Sequence, residues 1–263
     1  MSDADDLAAV RFRILDRVSE AATAAGRDPN QVEIIAVTKT VTPDRIRAAV
    51  EAGFTVLGEN RVQERAAKAD ELGADAGVGA GKDREHAPGP EDGGSGIATR
   101  GPVSWHLVGP LQSNKARRAV ELFDVIETVD SRALAERLSR IAGEVRPGRA
   151  LPVLLQVNVD DDASKSGYEV PELERDLPAI LDLPGLAVEG LMTVGRLVDS
   201  PALARPTFIG LRTLSERLRA LDERLGPALS MGMSEDYPIA VEEGATIVRI
   251  GRAIFGERHV ALR

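Results

Sequence analysis

The sequence predicts an α/β fold: a single (β/α)8 barrel of the TIM type, preceded by an extra N-terminal helix. Eight short apolar runs alternate with helical patterns between residues 34 and 250. Such alternation favours a parallel sheet, and eight strands favour a closed one. The length of 263 residues suits one barrel, and a composition of 43% hydrophobic and 29% charged residues supplies its core.

The elements follow in order. Leu7, Val10, Ile14, Leu15 and Val18 recur at helical spacing, which predicts an amphipathic helix over about 5–25. Strands are expected at 34–39, 54–59, 104–109, 124–128, 152–158, 187–194, 228–232 and 246–250. Helices are expected between them at 43–52, 60–71, 113–121, 131–145, 170–181, 207–225 and 235–243, with a short one after Gly251. Thr42-Pro43-Asp44 opens the first of these. Residues 72–101 break the rhythm: they hold 9 of the 25 glycines, with Pro88 and Pro90, and almost no apolar periodicity. Such a stretch cannot offset its ordering entropy by burial. The expectation is one barrel domain over 1–263 with a flexible Gly-rich insertion at about 72–101, acting as a plain solvated linker or as a lid.

Bulk properties exclude several classes. A net charge of −9 opposes general binding to nucleic acid or to an anionic membrane, although a local basic pocket remains compatible with it. The chain has no cysteine, so disulfides and thiolate metal sites are ruled out. The acidic start, Met1 to Asp6, is unlike a signal peptide, and no run approaches the roughly 20 apolar residues of a membrane span. A soluble cytoplasmic protein is expected. His86, His106 and His259 are scattered, so no metal triad is visible, and no Gly-rich phosphate loop of standard spacing occurs.

Chemistry concentrates at two places. Lys39 ends the first predicted strand, in phase with Ile35 and Val37, and so points into the lumen at the C-terminal rim where barrel active sites lie. Burial lowers a lysine's pKa and makes the amine nucleophilic, as an imine with an aldehyde requires. The competing reading is a lysine that snorkels to solvent. At the other end, Ser234 is placed to cap the helix after the seventh strand, and Gly251 allows backbone to approach a ligand closely. With Arg252 this makes a candidate phosphate seat, since barrels often hold phosphate on the loops after strands seven and eight. Ser234 as a simple cap, with the glycines making turns and Glu235 and Asp236 complementing the helix dipole, is the alternative. One aldehyde-capturing amine and one phosphate cradle together point to pyridoxal 5′-phosphate.

Arg249 shares the phase of Ile247 and Gly251 and so faces the lumen, where a buried arginine needs an acceptor. A pyridine nitrogen would serve, leaving the ring neutral and a poor electron sink; a salt bridge to Glu242 or Glu243 would serve as well. Asn60, at the end of the second strand, is either a cofactor neighbour or a helix N-cap. His106 reads as a satisfied rim histidine or a base.

Several motifs, taken in order, carry a family resemblance. They are Ala36-Val37-Thr38-Lys39, Gly58-Glu59-Asn60, Trp105-His106-Leu107-Val108-Gly109 running into Leu111-Gln112-Ser113-Asn114-Lys115, Gln156-Val157-Asn158, Ser164-Lys165-Ser166-Gly167, Gly190-Leu191-Met192, Ser230-Met231-Gly232-Met233-Ser234 and Arg249-Ile250-Gly251. With them the chain resembles the pyridoxal phosphate homeostasis proteins, whose fold is similar to the N-terminal barrel of alanine racemase. The resemblance implies that Lys39 carries the cofactor as a Schiff base, that Ser234, Gly251 and Arg252 hold its phosphate, and that Arg249 faces its ring nitrogen. It places Asn60 near the cofactor and matches Lys165 to a family lysine on another rim loop; a solvated loop lysine beside a solvated Asp160-Asp161-Asp162 turn is the plainer reading.

Three functions compete. A non-enzymatic protein that buffers pyridoxal phosphate and delivers it to apoenzymes is expected, within vitamin B6 homeostasis. An amino-acid racemase is the alternative, but it needs a second base, commonly a tyrosine from another domain. Here the only tyrosines are Tyr168 and Tyr237, the latter expected at most to line the rim, and no second domain is expected after the eighth strand. A class I aldolase is third; its lysine more usually sits on a later strand.

Overall fold

A computed structural model describes residues 2–72, 103–195 and 200–256. Its strands are β1 (Glu33–Val37), β2 (Val56–Glu59), β3 (Ser104–Leu107), β4 (Val125–Val129), β5 (Leu151–Gln156), β6 (Leu186–Met192), β7 (Ala228–Met233) and β8 (Ile247–Ile250). All pair in parallel, in sequence order, and β1 pairs with β8 to close the barrel. The helices are α1 (Asp3–Ala24), α2 (Pro43–Glu51), α3 (Val62–Leu72), α4 (Ala116–Leu122), α5 (Arg132–Val145), α6 (Val170–Leu181), α7 (Arg205–Leu221), α8 (Tyr237–Glu242) and α9 (Arg252–Phe255).

Strands buried on both faces explain why the sequence reads as continuous apolar runs. Ala36, Leu57, Trp105, Leu107, Ile126 and Val248 face outward and pack under the helices. Residues of the opposite phase fill the lumen. A hydrogen bond from Ser230 on β7 to Glu127 on β4 joins strands that are not neighbours, so both side chains must lie inside. Gly58 belongs to the same interior, since a Cβ there would sit 2.7 Å from Ile35 Cγ2.

The N-terminal helix is present and starts on a capping box: Asp5 N donates to Ser2 Oγ (3.2 Å), and Ser2 N donates to Asp5 Oδ2 (2.9 Å). Its buried stripe of Leu7, Ile14, Val18, Ala21 and Ala22 packs beside the barrel's closing seam, against α2, α8 and α9. Just beyond it, Arg27 donates to the carbonyls of Val241 (2.5 Å) and Ala245 (2.9 Å), which satisfies acceptors at the end of α8.

Four strands stop two residues short of their expected ends at the C-terminal rim: Val37 rather than 39, Leu107 rather than 109, Gln156 rather than 158, and Met192 rather than 194. The ladder is lost where the chain turns away into the loops, so rim residues keep an apolar sequence without strand pairing. The Gly-rich stretch at 72–101 lies outside the described residues, apart from Leu72, which ends α3.

Candidate functional site

The rim following β7, β8, β1 and β2, four consecutive strands, collects most of the residues singled out by sequence. Lys39 is not a strand residue: it sits half-buried in the turn after β1. That turn is tightly held. Thr38 N donates to the Gly58 carbonyl (2.8 Å), and Thr38 Oγ1 donates to Glu59 Oε1 (2.6 Å). Lys68, from α3, donates to the Thr38 carbonyl (2.7 Å) and also to Glu59 Oε1. Thr40 completes the turn at φ +64°, a left-handed conformation that a β-branched residue adopts only under constraint. Burial raises the Glu59 carboxyl above its ordinary range, even against the pull of Lys68.

Across the β1–β8 seam, a Cβ on Gly251 would meet Val37 at 3.5 Å, which places the turn after β8 directly beside the strand leading to Lys39. Ser234 does not cap α8 as expected. β7 runs on to Met233, and Asp236 precedes the helix while taking the Met233 amide at 2.6 Å. Ser234 Oγ instead receives the amides of Gly251 (3.3 Å) and Ala253 (3.2 Å). Two backbone N–H groups therefore converge on one oxygen position, as in an oxyanion seat. Arg252 lies on the exposed side, paired with Glu235 at 3.1 Å.

Beneath this rim lies a buried polar chain. Arg249 does not pair with Glu242 or Glu243, which instead hold Arg205 on the outside of the barrel. Its Nη1 donates to Ser230 Oγ (2.6 Å) and its Nη2 to the Thr193 carbonyl (2.7 Å). Ser230 Oγ donates in turn to Glu127 Oε2 (2.6 Å), and Glu127 Oε1 receives His106 Nδ1 at 2.7 Å. Burial opposes charge on both members of the last pair, yet their mutual attraction wins: His106 is raised and Glu127 lowered. Burial lowers the Arg249 guanidinium, while Glu127 and Asp236 support its charge.

His106 is thus an interior histidine in a salt bridge rather than a rim residue. Asn60 lies two residues beyond the Gly58 that pairs with Val37, one position ahead of where α3 is capped, so it is placed at the rim and is not the N-cap. Gly109 allows this crowding, since a Cβ there would fall 2.3 Å from the Asn60 carbonyl. Lys165 is on the loop after β5, on the opposite arc of the rim, and the Asp160-Asp161-Asp162 turn beside it is organised rather than merely solvated: Asp160 accepts the Thr207 hydroxyl (2.7 Å) and Asp162 the Ser164 hydroxyl (2.7 Å). Tyr237 does not line the rim. It is buried in the layer between sheet and helices, with Arg17 of α1 over its ring at 5.5 Å. Tyr168 is buried in that same outer layer. Among the described residues no three metal-ligating side chains converge, and no helix is long and apolar enough to cross a membrane.

Sequence reasoning named the rim but missed Glu59, Lys68, Glu127 and Ser230 as its supports. The available signal was a carboxylate at a buried position of an apolar strand, inward in Val-Ile-Glu-Thr-Val and outward beneath the helices in Val-Leu-Gly-Glu, which demands a partner.

Comparison with known proteins defines the class first. Residues 12–259 match the family described as alanine racemase, N-terminal domain, and the chain belongs to this barrel family. More particularly it belongs with the pyridoxal phosphate homeostasis proteins: it is 40% identical to the protein of that name from Pseudomonas aeruginosa over 249 residues, covering 94% of this chain and 93% of the relative. It is 36% identical to the one from Escherichia coli K12 over 263 residues, covering 97% of each. Among solved structures, PipY of Synechococcus elongatus with pyridoxal phosphate bound superposes with a TM-score of 0.73 at 40% identity, covering 91% of this chain and all of that one.

Proposed function

We propose that this protein binds pyridoxal 5′-phosphate as a Schiff base on Lys39 and buffers and delivers it, without turnover. The observation that carries the reading is the adjacency, on neighbouring strand ends, of the pinned turn that bears Lys39 and a converging set of oxygen-binding donors. The residues fit the coenzyme's chemistry part by part. The Lys39 amine suits its aldehyde, Ser234 with the amides of Gly251 and Ala253 suits its phosphate, and the Arg249 guanidinium suits its ring nitrogen, with Asn60 beside them. Arg252 adds charge from the outer side. When bound, the coenzyme supplies an aldehyde and an electron-withdrawing ring.

The protein's own residues favour holding over reacting. A guanidinium donates a hydrogen bond but gives up no proton at neutral pH, so the ring is kept neutral. The names of the curated relatives, and the coenzyme in PipY, support the ligand. Apo forms of pyridoxal-phosphate enzymes are the recipients this reading implies, and a cytoplasmic setting suits it.

The test is the absorption spectrum of the purified protein with and without coenzyme, followed by borohydride reduction and peptide mass analysis. A visible band, abolished in Lys39→Ala, and a pyridoxyl group on Lys39 are expected; a band and affinity unchanged by that substitution would refute the reading. Family membership favours one other function, racemisation. Deuterium exchange at Cα of alanine or serine at enzymic rates would establish it.

A further inference from the structure

The buried chain under the rim has a direction. Glu127 is a carboxylate and can only accept, so the single Ser230 proton is committed to it at 2.6 Å. That commitment turns a lone pair of Ser230 Oγ toward Arg249, which must donate to it at 2.6 Å. Glu127's other oxygen is occupied by His106 at 2.7 Å, so the carboxylate cannot rotate toward the guanidinium directly. The Thr193 carbonyl, at 2.7 Å, fixes the second arm of Arg249. A guanidinium carries five N–H groups, and two of its nitrogens are now pinned from below and from the side. All four side chains are buried, at 0% exposure for Glu127 and Ser230, 4% for His106 and 5% for Arg249. Such a chain is too costly to maintain as filler, since apolar residues of similar volume would pack a lumen at no loss of stability.

We propose that His106, Glu127 and Ser230 are positioning residues: a hydrogen-bonded relay that orients and part-neutralises Arg249 from beneath, so that its remaining N–H groups are presented to an aromatic nitrogen at the barrel mouth. This rests on the coenzyme reading and deepens it. Ser230 supplies the orientation. Glu127 supplies the counter-charge, with Glu33, Asp124 and Asp236 as the other acidic groups near the chain and His106 holding Glu127 in place. The relay makes the guanidinium a fixed donor of hydrogen bonds, and thereby sets both the ring's orientation and its protonation state.

The experiment compares wild type, Ser230→Ala and Glu127→Gln, with Arg249→Lys to assign signals. In the coenzyme-free wild type, nitrogen NMR should show Arg249 guanidinium protons exchanging with water far more slowly than those of surface arginines. In Ser230→Ala their exchange should accelerate by about tenfold or more, the scale of one lost hydrogen bond to a charged group. With pyridine-15N-labelled pyridoxal phosphate, the same variant should bind about tenfold more weakly, and the labelled nitrogen should change chemical shift. In Glu127→Gln the amide oxygen still accepts from Ser230, so exchange should stay slow while the ring-nitrogen shift moves. A purely structural role would alter the urea midpoint and leave the exchange rate and the ring shift where they were, which would overturn the proposal. So would fast exchange of the Arg249 protons in wild type, a measurement that needs no variant to fold. If wild type takes up no coenzyme, the functional reading fails, while the exchange data on free protein still decide the relay.

Discussion

Replacing Lys68 with methionine probes how the turn bearing Lys39 is held. The ammonium bonds the Thr38 carbonyl at 2.7 Å and Glu59 Oε1, while Glu59 Oε2 is buried with no partner. Glu59 is fully buried, and removing the cation paired with it leaves a buried charge uncompensated, a change that costs about 3–5 kcal/mol. At roughly 2–4 °C per kcal/mol for a chain of this size, the melting temperature should fall by about 6–20 °C at neutral pH. The pH dependence follows from the raised Glu59 carboxyl. Its ionisation opposes folding, and the penalty grows as pH rises from the ordinary glutamate value, about 4.3, up to the folded pKa, then stays constant. Acid should therefore restore much of what Lys68→Met loses. Adding Glu59→Gln, which keeps an acceptor for Thr38, should recover most of it at every pH, giving a coupling of about 2 kcal/mol or more. Trp105, the single tryptophan and 1% exposed, reports urea unfolding directly. A loss below about 1 kcal/mol, or a double variant as damaged as the single one, would refute this account of the turn.

Gly58→Ala should destabilise by about 1–3 kcal/mol in urea unfolding, because the new methyl meets Ile35 Cγ2 at 2.7 Å, and Ile35→Val should not rescue it, since valine loses only Cδ1 and keeps the branch in contact. Ser234→Ala should reduce the preference for pyridoxal phosphate over pyridoxal about tenfold, measured by paired spectral titrations, since the hydroxyl and the two amides it gathers form the proposed phosphate seat. The His106–Glu127 pair predicts a stability plateau. His106 is raised, so its contribution is complete below about 6.5 and disappears as pH climbs through the folded value. Glu127 is lowered, so its contribution is complete above about 4.3 and disappears as pH falls through the folded value. In His106→Gln the decline in urea midpoint that sets in above about pH 6.5 should flatten, and an unchanged slope would sink the ion pair.

The barrel was legible because its strands are buried on both faces and write themselves as apolar runs between turn signals, as in residues 34–37 and 151–156. The rim was legible only as a neighbourhood. Lys39 looked like a strand end because it closes the apolar run in phase with Ile35 and Val37, yet the left-handed Thr40 ends the ladder at Val37, although Thr38 still bonds across to β2. Ser234 looked like a cap because an acidic pair follows it, but Asp236 takes the local amide and frees Ser234 to reach the next strand's turn. Tyr237 looked exposed to the mouth because its helix follows the seventh strand; α1 covers that flank instead. These are all partners distant in sequence, and no periodicity within one segment encodes them. The interior chain was missed for the same reason: Ser230 and Glu127 are separated by 103 positions.

The seam between β1 and β8 has a bearing on how the protein is born. Arg27 waits for carbonyls 214 and 218 positions downstream, and β1 for its second neighbour until β8 has been synthesised. A ribosome adding about 5–20 residues per second leaves the first helix and strand without their final partners for roughly ten seconds or more. The N-terminal segment, with its apolar stripe, must therefore emerge first and settle last, and that interval is when chaperones have most to protect.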